Sequence, residues 1–447
     1  MKLVYGVQDK PKAGQIVVFA FQQLLAILAA TIAVPSIVGN GMSQSAALFG
    51  AGVGTIVYLL FTKFRSPVFL GSSFAFLGSM FAAFAGAAST AAGYAGLIIG
   101  AIFAGLVYVV IAIVVKIAGV KWVGKLMPAV VIGPTVSIIG LSLAGNAVGD
   151  ALNSSKNLVD GAFVMGANGW ACFICALVTL CTVIICSVFG KKMAKLIPFI
   201  IGILAGYAVA AIFTLTGKES LQIIDFSVFK DMTIFAVPDF SFLQAAKGIK
   251  EIDAAYIAMI AVAYVPVAFV VFAEHIADHK NLSSIIDQEL LEDPGLHRTL
   301  LGDGVGSMVG SIFGGCPNTT YGESVGCVAI TGNASVVTII ATAIMAIVIS
   351  FFGPFVTFLS TIPGCVMGGV CITLYGFIAV SGLKMIQDVD LGDNRNLFVV
   401  ATILICGIGG MTLKIGQVTL TEIACALILG IVVNLVTNIG KKDAAAK

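Results

Sequence analysis

Residues 314–332 read Gly-Gly-Cys-Pro-Asn-Thr-Thr-Tyr-Gly-Glu-Ser-Val-Gly-Cys-Val-Ala-Ile-Thr-Gly, a polar, glycine-rich run set among strongly apolar segments. Irregular backbone facing lipid is not tolerated at membrane depth; it survives only when buried in protein or lining a polar cavity. Pro317 removes a backbone donor and biases Cys316 towards an extended conformation. The spacing therefore predicts a short non-helical piece over 316–320. From Gly322 onwards it predicts a helix start, with free N–H groups and a positive dipole end beside Glu323. A helix broken near the bilayer midplane is the usual mark of a transporter binding site.

The rest of the chain supports a membrane setting. Of 447 residues, 59% are hydrophobic and 10% charged, which excludes an ordinary soluble domain. Several segments run to about 20 apolar residues, the length a helix needs to cross the hydrocarbon core. Val17 begins a span long enough to be a true membrane helix, so no cleavable leader is expected. The formal charge of +2 gives no reason to expect a nucleic-acid partner. Of the ten cysteines, Cys181, Cys186, Cys327, Cys365, Cys371, Cys406 and Cys425 lie inside apolar spans as small hydrophobes. Cys172 and Cys175 form a lone C-x-x-C without a second pair or a nearby histidine, so neither a metal site nor a disulfide framework is expected.

The pattern divides into about fourteen spans. A segment 1–15 precedes spans 1–7 (16–215), a polar connection covers 216–252, spans 8–14 cover 253–440, and a tail covers 441–447. Span 8 is expected over about 254–276, followed by a charged loop from Lys280 to Arg298, and span 12 over about 355–381. Only Lys156, Lys218, Lys230, Lys247, Lys250 and Lys414 fall on loops opposite the termini; the other basic residues, Lys121, Lys125, Lys192, Lys441 and Lys442 among them, fall on the terminal side. The positive-inside rule then makes both termini cytoplasmic. Gly71-Ser-Ser-Phe-Ala-Phe76 opens span 3 with a second polar interruption, seven spans before the first. An odd number of spans per half inverts the second repeat, so the expected fold is an all-α polytopic protein of two inverted repeats, with interruptions in spans 3 and 10.

Ionisable residues within spans are expensive and functional by default. Glu274, Glu323 and Asp303 are of this kind, and Asp278 shares a helix face with Glu274 at i+4. No lysine or arginine stands near them within a span. Carboxylates around one cavity can accept from a neutral ligand's N–H groups and can take up protons, as a proton-coupled carrier of a polar solute requires. His275, His279 and His297 read as solvated loop residues.

Asn318-Thr-Thr-Tyr-Gly-Glu-Ser-Val-Gly-Cys-Val-Ala-Ile-Thr331 resembles the span-10 signature of uracil permeases in the nucleobase/cation symporter (nucleobase–ascorbate transporter) family. Gly71–Phe76, Ala273-Glu-His-Ile276 and Gln22-x-x-x-Ala-x-x-x-Ala-Thr31 are similar to its spans 3, 8 and 1, in order. The resemblance implies that Glu274 and Glu323 accept the uracil ring N–H groups, and that backbone at Gly322 and Phe74 donates to the ring carbonyls. It implies apolar walls from Ala30, Tyr321, Phe74 and Tyr375. It also implies a core of spans 1–4 and 8–11 moving against a gate of spans 5–7 and 12–14, in a homodimer of the inner membrane, driven by protons without a cofactor. The resemblance implies proton coupling at Glu323, Asp278, Asp303 and Gln23; Gln23, which cannot itself titrate, and Asp278 stand where such permeases usually carry histidines. Purine or mixed specificity is the alternative, because an acid matching Asp278 or Asp303 occurs in purine-carrying relatives. A sulfate-permease-type anion transporter would share the fold, but Glu323 argues against an anion at the same place. No nucleophile–base pair or phosphate loop suggests an enzyme.

Overall fold

The computed structural model describes residues 3–119, 128–191, 193–415 and 418–439. Lys121, Lys125, Lys192 and the tail 441–447, on which part of the charge argument rests, lie outside the described residues. Among those described, eight helices are long and apolar enough to cross a membrane. The elements that build the site are α1 (Ala13–Val38), α2 (Gln44–Phe61), α3 (Leu77–Ala85), α4 (Thr90–Ala118), α5 (Ala254–Ile286), α6 (Leu296–Gly314), α7 (Gly322–Thr331) and α8 (Gly364–Met385). Helices α2 and α4 pack on α6, and α4 also on α5, whereas Ala129–Ser142 and Ala167–Phe189 pack on α8.

Two short strands sit inside this helical body. β1 (Leu70–Ser72) precedes α3, and β2 (Asn318–Thr320) joins α6 to α7. They pair antiparallel, with Gly71 opposite Thr319. The two interruptions expected from sequence are thus a single structure. Each solves the problem of non-helical backbone away from water by bonding to the other and to nearby hydroxyls. Ser73 N–H donates to the Pro317 carbonyl (2.9 Å), Leu70 N–H to Thr55 Oγ1 (2.9 Å) and Asn318 N–H to Ser307 Oγ (3.0 Å). Gly315, at φ +73°, ends α6 in the left-handed conformation that glycine adopts without a Cβ penalty.

Three expectations are corrected. Helix α5 does not stop near 276 but runs to Ile286, so much of the expected charged loop is helical. His275 and His279 consequently lie on that helix and are fully buried, not solvated, and His297 sits half-buried in the first turn of α6 rather than in a loop. Span 12 is two pieces, Gly353–Ser360 and α8, because Pro363 cannot continue a helix and instead caps the second one. Antiparallel pairs at Leu158–Val159 with Ala162–Phe163, and at Leu413–Ile415 with Val418–Leu420, were not expected from the apolar pattern.

Candidate functional site

The first turns of the two broken helices and the middle of α5 converge on one cavity of about 350 Å³. Ser73, Phe74 and Ala75 line it from the break before α3, and Thr319 to Glu323 line it from β2 and the start of α7. Glu274, Ala277 and Asp278 supply the α5 side. The opposite wall is apolar: Val136, Ile139, Phe199, and Leu374, Phe377, Ile378 and Met385 of α8, with Ser381 as its one hydroxyl. A cavity of this size with an apolar wall and a few convergent polar groups matches the small-molecule site, typically about 300–1,000 Å³.

Three carboxylates therefore face the same space, from two elements far apart in sequence. Glu274 and Asp278 do so because four residues bring a helix nearly full circle. Thr320 Oγ1 donates to Asp278 Oδ2 at 2.9 Å and ties that acid to β2. Glu323 occupies the first turn of α7, where free N–H groups favour negative charge. The backbone at Phe74 and Gly322 lies at the N-terminal ends of helical turns that border the cavity. Tyr321 also lines it, with its hydroxyl donating to the Ser72 carbonyl at 2.7 Å.

Other expected residues lie elsewhere. Ala30 is buried within α1 and is not among the residues that line the cavity. Tyr375 is buried as well and meets Phe74 edge-on, at 5.9 Å between ring centres, while its neighbour Leu374 faces the cavity. Gln23 is buried too: its Nε2 donates to Ser324 Oγ at 2.6 Å, and Ser324 Oγ also accepts from Phe69 N–H at 3.1 Å. It braces α1 against the start of α7. Asp303 is fully buried and its Oδ2 lies 2.7 Å from His275 Nδ1. The pairing of Asp303 with His275 was missed by sequence reasoning. The signal for it is the run Glu274-His275-Ile-Ala-Asp278-His279, in which two i,i+4 pairs occupy adjacent stripes of one helix. Among the described residues no cluster of histidine, cysteine and acidic side chains fits a metal ion, and all the cysteines are free.

Broken helices meeting at an acid-lined cavity, within a body of membrane-length apolar helices, define a multi-pass membrane protein built to hold a small polar solute. The chain belongs to the Permease family: the model for that family (Xan_ur_permease) matches residues 14–416. It is 41% identical over 447 residues to the uracil permease of Bacillus caldolyticus, covering 99% of this chain and 96% of the relative. It is 38% identical to the uracil permease of Bacillus subtilis, covering 99% and 97%. Identity to the uracil permease of Escherichia coli K12 is 32%, covering 96% and 93%. The fold is shared with the transmembrane domain of a cyanobacterium bicarbonate transporter, BicA (TM-score 0.60, 16% identity, 97% of this chain and 99% of that one). It is shared also with the murine Slc26a9 anion transporter in its inward-facing state (TM-score 0.67, 12% identity, 96% and 69%).

Proposed function

We propose that this permease imports a nucleobase, uracil first, by proton symport and alternating access. The observation that carries the reading is that Glu274 and Glu323 line one cavity bordered by two helix starts. Uracil is a flat lactam with two ring N–H donors and two carbonyl acceptors. Glu274 and Glu323 accept from the ring N–H groups, backbone N–H groups at Phe74 and Gly322 donate to the carbonyls, and Tyr321 and the Phe74 ring cover the faces. Ala30 and Tyr375 act as walls once the two sides of the cavity close. The uracil permeases that the chain resembles over nearly its whole length support that substrate.

The same fold serves anion transporters, but fold does not fix function. Three carboxylates around one cavity repel an anion, so the sulfate-permease-type alternative is disfavoured by this site. Asp278 gives the second reading its support: a third acceptor in the cavity suits a xanthine-type purine, which carries one more ring N–H than uracil.

The way the cavity is walled supports a reading of the transport cycle. Residues from the break before α3, from α5, and from β2 and the start of α7 form one side, and residues from Ala129–Ser142, Pro198–Leu215 and α8 the other. We take the first group as part of a core of spans 1–4 and 8–11, and the second as part of a gate of spans 5–7 and 12–14, in two inverted repeats of seven spans. The antiparallel pairing of β1 with β2, one from each half, supports that symmetry. Sliding of one group past the other opens the site to alternate sides. Cytoplasmic termini and a homodimer in the cell membrane complete the reading. A competition panel of radiolabelled uracil against thymine, xanthine, hypoxanthine and adenine in proteoliposomes tests the substrate, with Glu323→Gln abolishing uptake. Unaltered uptake by that variant, or a substrate without ring N–H groups, would sink the assignment.

A further inference from the structure

Behind the cavity, on the adjacent stripe of α5, lies a second polar cluster that the substrate does not reach. His275 Nδ1 sits 2.7 Å from Asp303 Oδ2, and His275 Nε2 sits 2.9 Å from Thr299 Oγ1. Both His275 and Asp303 are completely buried. Among the described residues no lysine or arginine pairs with Asp303, and its Oδ1 has no hydrogen-bond partner. We propose that the His275–Asp303 pair is an occluded binding site for one proton, the coupling proton of the transport cycle. The coupling role rests on the proton-symport reading above.

The geometry accommodates both the empty and the filled pair. When it is empty, Asp303 is a carboxylate and His275 is neutral. The one ring proton must lie on Nδ1, donated to Oδ2, and the bare Nε2 accepts from the Thr299 hydroxyl. When one proton is taken from water, it resides on the ring or on Asp303 Oδ2, which faces Nδ1, and in either arrangement Nε2 carries hydrogen and donates to Thr299 Oγ1. The Thr299 hydroxyl then turns to the Leu296 carbonyl, 3.1 Å away. A single hydroxyl rotation thus serves both states. On release the proton returns to water and the hydroxyl turns back.

Filling changes the pair's net charge from −1 to 0 without moving the backbone. The groups that feel this are Glu274, the preceding residue of α5, and Asp278, three residues on, both of which line the substrate cavity. The other titratable groups around the pair are His279, stacked on His275 at 4.1 Å, Tyr108 of α4, edge-on at 6.2 Å, and Tyr58 of α2, 2.7 Å from His279 Nε2. None brings a fixed positive charge, so the proton alone neutralises Asp303. This places the coupling site one helix stripe away from the ligand, at His275, and relieves Gln23 of a role it cannot perform.

Nitrogen-15 NMR of ring-labelled protein in lipid reads the site directly, since only His275, His279 and His297 contribute and His297→Gln removes the half-buried one. Between about pH 5 and pH 10, the range over which ordinary histidine to lysine groups ionise, Nε2 of His275 should change from N–H to bare. A ring that keeps one state throughout overturns the proposal. In proteoliposomes, His275→Gln should lower accumulation driven by a pH gradient about tenfold, a usual size for coupling between sites. Exchange of labelled for unlabelled uracil, which needs no net proton movement, should persist, and its pH profile should flatten. Accumulation equal to wild type overturns the proposal, and so does equal loss of exchange and accumulation in a folded variant. If wild-type uptake ignores the pH gradient, the symport reading and the coupling role fail together, while the NMR result still decides whether the pair binds a proton.

Discussion

The ring of Tyr321 covers Gly71, and the Tyr321 hydroxyl donates to the carbonyl oxygen of Ser72 at 2.7 Å. The residue that opens one broken helix is therefore seated on the backbone that precedes the other. Because Tyr321 also lines the cavity, the spacing between Phe74 and Gly322 is set by this one contact together with the β1–β2 ladder. The two half-helices form one rigid cradle.

Gly71→Ala tests the cradle. A Cβ at Gly71 would overlap the Tyr321 ring, which is buried and anchored through its hydroxyl. Overpacking of this kind costs about 1–3 kcal/mol. The expected result is a lower melting temperature in detergent and a raised KM for uptake at equal amounts of inserted protein. Gly376→Ala, where a Cβ meets nothing within 4 Å, should leave both unchanged. Wild-type values for Gly71→Ala would show that the contact does not set the site.

Glu274→Gln keeps the shape of the side chain and its accepting oxygen but removes the charge. Hydrogen bonds to charged groups contribute about 1.5–3 kcal/mol and neutral ones about 0.5–1.5 kcal/mol. The substitution should weaken equilibrium binding of uracil by about 1–2 kcal/mol, roughly 5- to 30-fold in Kd. Combined with Glu323→Gln the losses should not add, since both acids grip one ring. An unchanged Kd measured on purified protein would remove Glu274 from the site.

Much of this site was legible in sequence, because the residues that interrupt a membrane helix are chemically conspicuous. Pro317, Gly315 and Glu323 within an apolar stretch announce a break, and Gly71 to Ser73 announce its partner. What escaped is everything that depends on contacts between distant segments. His275 and His279 looked solvated because they stand among ionisable residues, and spacing alone cannot show that Asp303, Thr299 and Tyr58 arrive to satisfy them. The glycines of α6 lower its hydropathy, yet they are what lets α2 approach. The walls at Ala30 and Tyr375 depend on how the two sides of the cavity sit, a relation no local pattern contains.

Arg65→Ala gives the opposite kind of prediction. The guanidinium lies 2.6 Å from Asp293, yet both side chains are more than half exposed, 52% and 68%. Exposed pairs contribute about 0–1 kcal/mol. Uptake and melting temperature should stay close to wild type. A large loss of transport with normal stability would instead give this end of the molecule a part in gating.

Gly310→Val addresses the close approach of α2 and α6. Gly50 and Gly54 on α2 face Gly310 and Gly306 on α6, and a Cβ at Gly50 would overlap the Gly310 carbonyl. Small residues four apart let membrane helices meet backbone to backbone, where packing rather than water drives association. The Asn318 side chain fits beside Gly310 and donates to the Gly50 carbonyl at 3.1 Å, so β2 is pinned by the same contact. An isopropyl group at 310 has to separate the helices or expel Asn318. Either outcome leaves the buried Asn318 amide without its acceptor, at about 1–3 kcal/mol, and adds the overpacking cost of similar size. The variant should lose its monodisperse peak in size-exclusion chromatography, or melt well below wild type, and fail to bind uracil. Gly326→Ala, which meets nothing within 4 Å, should do neither. A Gly310→Val protein that melts like wild type and binds normally would mean that β2 is held by the β1 ladder alone.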